Sequence, residues 1–446
     1  MLMDRQKMSR CAKRLLVAVI VLCCAMEASS QVYVPIDTAN VSERLLKGKQ
    51  FDRIANENLN EIKKLTSGRE ESYISKSFKN QIKGMKEDIE SGLYVFDHRF
   101  DAFIDSVYNL LCKHNPQIPT DYSFYVSRDI SLNAASMGCK VFVIHLGVFY
   151  FLENEQEFAA MMAHEISHQL KQHTIATLRK RYYVDKVESH EQIDKIKGEK
   201  RNKSERALEK VREIRYADRA LSRLQEQEAD SMGYVLFRNA GFSPHEYIHS
   251  YRLMALYDSI SPKDGVELAT YRKIFDFPNF PFKESWLKKE DFSAYDYSKY
   301  KPHYNQDSLN SHPDVMHRVA KLKETFAELK DSAAVLSPSK QFESLHTIAS
   351  FERLPSLVIE EDYGLAVYLC LYRLQTKPED AYYRTFLGDL FGKIYDARKA
   401  YKLNRYLDVI DPKSQPESYQ QFLSFMWNLK ISEIKAIAEY YTGKSS

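Results

Sequence analysis

Cysteine is scarce in this 446-residue sequence. There are six in all, and three of them (Cys11, Cys23 and Cys24) fall within the first thirty residues. The other three, Cys112, Cys139 and Cys370, allow one disulfide at most. So sparse and odd a set excludes a disulfide-built scaffold and lacks zinc-finger spacing. Long apolar runs are also missing. No stretch after residue 30 reaches 18 apolar residues, so that part is expected to be water-soluble. The formal net charge of +3 lies entirely in residues 1–30: removing their 5 basic and 2 acidic residues from totals of 64 and 61 leaves 59 of each. A balanced chain lacks the basic excess of a nucleic-acid-binding domain. Nor is there a disorder signature, because 44% hydrophobic and 28% charged residues describe a globular chain. Its length suffices for two or three domains with cores of their own.

Residues 1–30 read as a secretory signal. Arg5, Lys7, Arg10, Lys13 and Arg14 form a basic start, Leu15 to Met26 an apolar core, and Ala28-Ser29-Ser30 a small-residue cleavage site. The alternative is an uncleaved membrane anchor, since apolar cores of this length are ambiguous. Neither Cys23 nor Cys24 follows a small residue, which weakens a lipid-attachment reading. The expected location is therefore secreted or periplasmic, or membrane-anchored if the signal stays on.

The chain is organised around His164-Glu165-Ile166-Ser167-His168. Residues four apart share a helix face, so both imidazoles can reach one metal ion. Glu165 then falls beside the open coordination position, where a general base for an activated water is needed. Asn154 is placed to cap this helix, with Glu155 and Glu157 in its first turn. Phe158, Met162, Ile166 and Leu170 form a stripe that only a buried helix requires.

Before it, the stripes Leu59, Ile62, Leu65 and Phe100, Phe103, Ile104, Val107, Leu110, Leu111 predict packing helices. Residues 122–126 and 139–144 are strand-like, with Asn133-Ala134-Ala135 and Gly138 in a turn-rich connection between them. Such a strand pair either binds extended substrate or is an ordinary hairpin. Residues 177–222 interleave both charge signs and predict a solvated helical excursion turning near Gly198, with His190 on its surface. A Phe/Tyr/Trp-rich segment from Phe275 to Tyr304 either roofs a cleft or is a packed connection. From about Phe342 the chain is helical again. Ala366 and Ala400, like Pro378 and Pro412, are 34 residues apart, which is the tetratricopeptide period. A generic helical bundle is the other reading.

A catalytic zinc needs a third protein ligand. The metzincin solution puts Gly at position 171 and His at 174, where this chain has Lys171 and Thr174. His173, five residues beyond His168, is expected to point away from the pair. On a second helix, Glu226 and Asp230 are i,i+4. Glu226 is assigned as ligand and Asp230 as acceptor for a ligating imidazole, with Gly233 allowing close helix packing. Spacing alone also admits Glu228 in place of Glu226.

HEISH, then SRLQEQEADSMGYVLFRNAGFSP and SLNSHPDVMHR, resemble the gluzincin family of CAAX prenyl proteases, HtpX and BepA over about residues 95–325. That family has HExxH, then ExxxD with its first Glu on zinc, then HP-x4-R. The resemblance implies Glu226, rather than Glu228, as third ligand, with Asp230 in support. It also places His312 and Arg318 near the zinc, as oxyanion support or, for His312, as a gate. Membrane members of the family carry apolar spans between these motifs. The charged insertion here argues against a membrane chamber and prenylated substrates, and favours the soluble, exported, BepA-like branch with its repeat-containing tail.

The expected fold is α+β and mostly helical: a gluzincin-type domain with a small sheet beside the HExxH helix, then a tetratricopeptide-like tail. The expected boundaries are 1–30 for the signal, 31–94 for an N-terminal helical region, 95–330 for the metallopeptidase and 342–446 for the tail. The expected activity is that of a zinc metalloendopeptidase with one Zn2+ on His164, His168 and Glu226, and Glu165 as base. Its partners are expected to be protein or unfolded peptide substrates, and proteins met through the tail, but not nucleic acid. The alternatives are a client-binding module with a gated zinc site, and a helical exported protein in which HExxH is accidental.

Overall fold

The structure, a computed structural model, describes residues 33–36, 40–183, 203–257, 265–289, 315–330, 335–411 and 415–443, with side chains in the helix beginning at Lys203 described from Leu221 onward. The signal-like segment, the turn near Gly198, His190, His312 and Pro412 lie outside the described residues.

Helices α1 (Val41–Lys63) and α2 (Gly68–Ser91) form an antiparallel pair. The Asn40 side chain caps α1 by accepting from the Glu43 amide, and Gly92, in the left-handed region at φ 89°, ends α2. Phe51, Ala55 and Leu59 of α1 and Ile74, Phe78, Ile82 and Met85 of α2 interlock at three- and four-residue spacing. Together they cover one face of a four-stranded sheet.

That sheet has the order β1 (Tyr94–Val95), β2 (Ser123–Ser127), β4 (Val141–His145), β3 (Ala134–Gly138). Between β1 and β2 runs α3 (His98–His114). The two expected strands are present, but they pair in parallel, which excludes a hairpin between them. The hairpin is β3–β4, and β3 corrects the turn expected at Asn133–Gly138. It escaped notice because Ala134-Ala135-Ser136-Met137-Gly138 has no β-branched residue. The turn sits at Cys139 and Lys140, both at positive φ (50° and 60°), as in a type I′ hairpin. A Cβ on Gly138 would meet the Phe78 ring at 2.6 Å, so this corner can lie on α2 only with glycine there. Side chains alternate across the sheet. Val141 and Val143 face α1 and α2, whereas Phe142 and Ile144 enter the main core.

The main core gathers α3, α4 (Leu146–Phe151), α5 (Glu155–Leu170), the C-terminal part of α7 (Lys203–Asn239), α8 (Pro244–Tyr257) and α10 (Val315–Thr325). Helix α6 (His173–Tyr182) lies outside it, against α2. A second core holds α9 (Leu268–Ile274) and the tail helices α12 (Tyr363–Thr376), α13 (Ala381–Lys399), α14 (Glu417–Asn428) and α15 (Ile431–Tyr441). Helix α11 (Lys340–Ile359) belongs to both, burying Phe342, Leu345 and Ile348 in the first and Leu354 and Leu357 in the second.

Three readings that the sequence left open are decided here. The described aromatics of the 275–304 segment do not roof a cleft: Phe275, Phe277 and Trp286 pack into the tail core, so part of the span 95–330 folds with the tail. The 34-residue spacing does not mark equivalent helix crossings, because Ala366 is buried in α12 while Ala400 is the exposed cap of α13. Cys112, Cys139 and Cys370 are free thiols. No helix of the described residues is long and apolar enough to cross a membrane.

Candidate metal centre

Helix α5 starts where the sequence places it. The Asn154 side chain accepts from the Gln156 and Glu157 amides at 2.9 and 3.1 Å and donates to Glu246 at 2.7 Å, fixing the helix start against α8. Three turns on, the Nε2 atoms of His164 and His168 are 3.0 Å apart. Glu226, from α7, brings Oε2 to 3.5 Å from His164 Nε2 and Oε1 to 3.7 Å from His168 Nε2. One ligand atom from each of these three residues lies within 4.8 Å of the others. Helix α7 can come this close because of Gly233, where a Cβ would stand 3.0 Å from the backbone N and Cα of His164 and 2.7 Å from the Tyr247 hydroxyl.

Glu165 turns toward the sheet. Its Oε2 accepts from the Ser136 amide of β3 at 2.8 Å, and its Oε1 lies 3.9 Å from His164 Nε2. Behind His164, Nδ1 is 3.1 Å from Asp230 Oδ1. Asp230 also accepts from the Tyr251 hydroxyl at 2.5 Å and from Arg318 Nε and Nη2 at 2.9 and 2.6 Å. Arg318 Nη2 is 3.0 Å from Glu226 Oε2 as well, so one buried guanidinium ties both carboxylates together.

Charge in this cluster is set by these contacts. Burial alone would lower the His164 pKa, but its hydrogen bonds to Asp230 and Glu226 overcome that and lift it to about 9. Burial would raise the Asp230 carboxyl, yet Arg318, followed by His164, brings it down to about 2. Burial and the Asp230 charge push the Tyr251 hydroxyl well above its ordinary value, so it stays a donor. The pocket therefore favours a cation at His164. Two imidazoles and a carboxylate with one position left over are the donor set of a catalytic zinc site.

His173 departs from expectation. Helix α5 ends at Leu170, and Gln172 adopts the left-handed region (φ 55°), so the chain folds back and α6 begins at His173. His173 Nδ1 then lies 3.0 Å from His168 Nδ1, and its Nε2 lies 3.1 Å from Glu228 Oε2. The expectation that His173 points away assumed a continuous helix, and no Gly or Pro marks the break. Glu228, the alternative third ligand, is the partner of His173. Sequence reasoning also missed the Ser136 amide, which needed β3, and Tyr251, which no motif marks.

A pocket lined by Leu132, Leu152, Met161 and Met254 opens beside Glu165, Tyr251 and Arg318. Arg318 Nη1 is buried and has no hydrogen-bond partner among the described residues.

A match to a known family covers this region. Residues 101–326 match peptidase family M48. The beta-barrel assembly-enhancing protease of Yersinia pestis is 29% identical over 79 residues, which is 18% of this chain and 16% of that protein. A putative beta-barrel assembly-enhancing protease of Vibrio cholerae serotype O1 is 30% identical over 77 residues, 17% of this chain and 16% of its own length. The chain thus spans only about a sixth of these curated relatives. The family match extends over half of the chain and includes the His164, His168 and Glu226 cluster with Asp230 and Arg318; this chain belongs to peptidase family M48, whose members are zinc metallopeptidases.

Proposed function

We propose that the chain is an exported zinc metalloendopeptidase that cuts unfolded or misassembled proteins of the cell envelope. The observation that carries this reading is the convergence of His164, His168 and Glu226 beside a carboxylate, Glu165, held by the sheet. One Zn2+ per chain on these three residues would polarise a scissile carbonyl and acidify a water molecule. Strand β3, at the sheet edge, offers backbone groups to an extended peptide. The small pocket beside Glu165 presents an apolar lining next to the proposed reaction centre. Glu165, aimed by the Ser136 amide, removes the proton of the attacking water and delivers it to the leaving amine. Arg318 orients Glu226 and keeps Asp230 ionised, and Asp230 with Tyr251 holds His164. His312, outside the described residues, is the proposed gate or oxyanion donor. The signal-like first thirty residues and the names of the two relatives support the envelope location. The helical tail and the residue boundaries, with residues 265–289 packing into the tail core, belong to the same proposal.

Glu165→Gln tests the mechanism. It should retain fold and zinc while cleavage of casein falls about 10²–10⁴-fold. Undiminished cleavage would refute the assignment.

A second reading, a client-binding module with a secondary zinc site, draws on a tail that has a core of its own. Deleting residues 342–446 cannot separate the two, because it removes Phe342, Leu345 and Ile348 from the main core. Cells carrying only Glu165→Gln can: full rescue of function would favour the binding role.

A further inference from the structure

We propose that His173 and Glu228 form a positioning relay that sets the tautomer and ring orientation of His168, the counterpart of Asp230 behind His164. This rests on the zinc-site reading above. The two histidines meet through their Nδ1 atoms, 3.0 Å apart, so one nitrogen carries the proton and the other accepts it. His168 Nε2 faces His164 Nε2 and Glu226, and a nitrogen that ligates metal carries no proton. The His168 proton therefore sits on Nδ1 and is donated to His173. His173 accepts at Nδ1, which leaves its own proton on Nε2, 3.1 Å from Glu228 Oε2. Each bond in the chain dictates the next, and the exposed carboxylate of Glu228 decides the tautomer of a partly buried ligand two rings away.

The two imidazoles are thus supported unequally. His164 leans directly on Asp230, which is itself clamped by Arg318. His168 leans on a neutral ring whose orientation depends on the break at Gln172 and on a carboxylate whose side chain is 46% exposed. Groups that orient a metal's histidines typically change metal affinity about 10- to 100-fold when removed.

The experiment measures zinc affinity of the full-length protein by chelator competition, with ¹⁵N spectra of the histidine rings. His173→Asn keeps an acceptor near the Nδ1 position, whereas His173→Leu keeps bulk without an acceptor. The relay requires Leu to weaken zinc binding about 10- to 100-fold and Asn to recover most of it; a packing role for His173 gives the reverse order. Glu228 supplies a test at the surface that leaves the fold intact. Glu228→Gln, which can still accept from His173 Nε2, should bind zinc nearly as wild type does. Glu228→Lys, which donates, should reverse the His173 tautomer and set two Nδ1 protons against each other. Its affinity should fall well below that of Glu228→Ala, and the His168 ring signals should shift. Wild-type affinity in both His173→Leu and Glu228→Lys would overturn the relay alone. A wild-type protein that takes up no zinc would overturn the metal-centre reading and the relay with it.

Discussion

Arg318 grips Asp230 with both Nε and Nη2, at 2.9 and 2.6 Å, across 88 residues of sequence and with neither side chain exposed. The same guanidinium touches Glu226, so the second and third motifs are held in register by one cation. Removing it leaves two buried carboxylates facing each other. Arg318→Met should destabilise the metal-free protein by about 3–5 kcal/mol, and less once zinc is bound, because the dication replaces part of the lost charge. Urea unfolding with and without zinc measures both, and an equal loss in the two states would contradict the role given to Arg318.

Zinc uptake should depend on pH with a definite sign. Without metal, His164 keeps its proton up to about 9 rather than its ordinary 6.5. That proton's contribution to metal-free stability is complete below about 6.5 and disappears as pH rises through about 9. Zinc must displace it, so the stabilisation conferred by a fixed zinc concentration should grow between pH 7 and pH 9. Thermal unfolding across that range checks the trend; a flat or falling response would show that His164 does not receive the metal.

Gly233→Ala inserts one methyl group where α7 touches the backbone of His164. Backbone cannot give way as a flexible side chain does, so the helices must separate. A loss of about 1–3 kcal/mol is expected, with weaker zinc binding because Glu226 moves with α7. Stability and zinc content measured together should both fall, and loss of neither would mean that the helices are not in contact.

Glu352 joins the two cores. Its carboxylate accepts from Arg128 at 2.9 Å and from the Tyr33 hydroxyl and Ile36 amide at 2.7 Å, with Arg128 and Glu352 fully buried. Glu352→Ala removes the buried arginine's carboxylate partner and should cost about 3–5 kcal/mol in urea unfolding. It touches none of the proposed zinc ligands, so zinc affinity of the folded protein should stay as in wild type.

What the sequence determined by itself was local and periodic. The placing of His164, Glu165 and His168 on one buried helix follows from 3.6-residue geometry, the Asn154 cap from side-chain chemistry, and the pairing of Glu226 with Asp230 from i,i+4 spacing. The choice between Glu226 and Glu228 came from family resemblance, because both lie on the same short stretch and spacing admits either. Tertiary structure decided what depends on distant backbone. The left-handed Gln172 returned His173 to His168 although nothing in its residue type announces a helix end. Strand β3, poor in β-formers, exists because β4 supplies its hydrogen bonds, and through it the Ser136 amide meets Glu165. The aromatic segment after Phe275 went to the tail because apolar surface buries wherever a partner face is open, and the hydrophobic effect carries no address that a sequence can display.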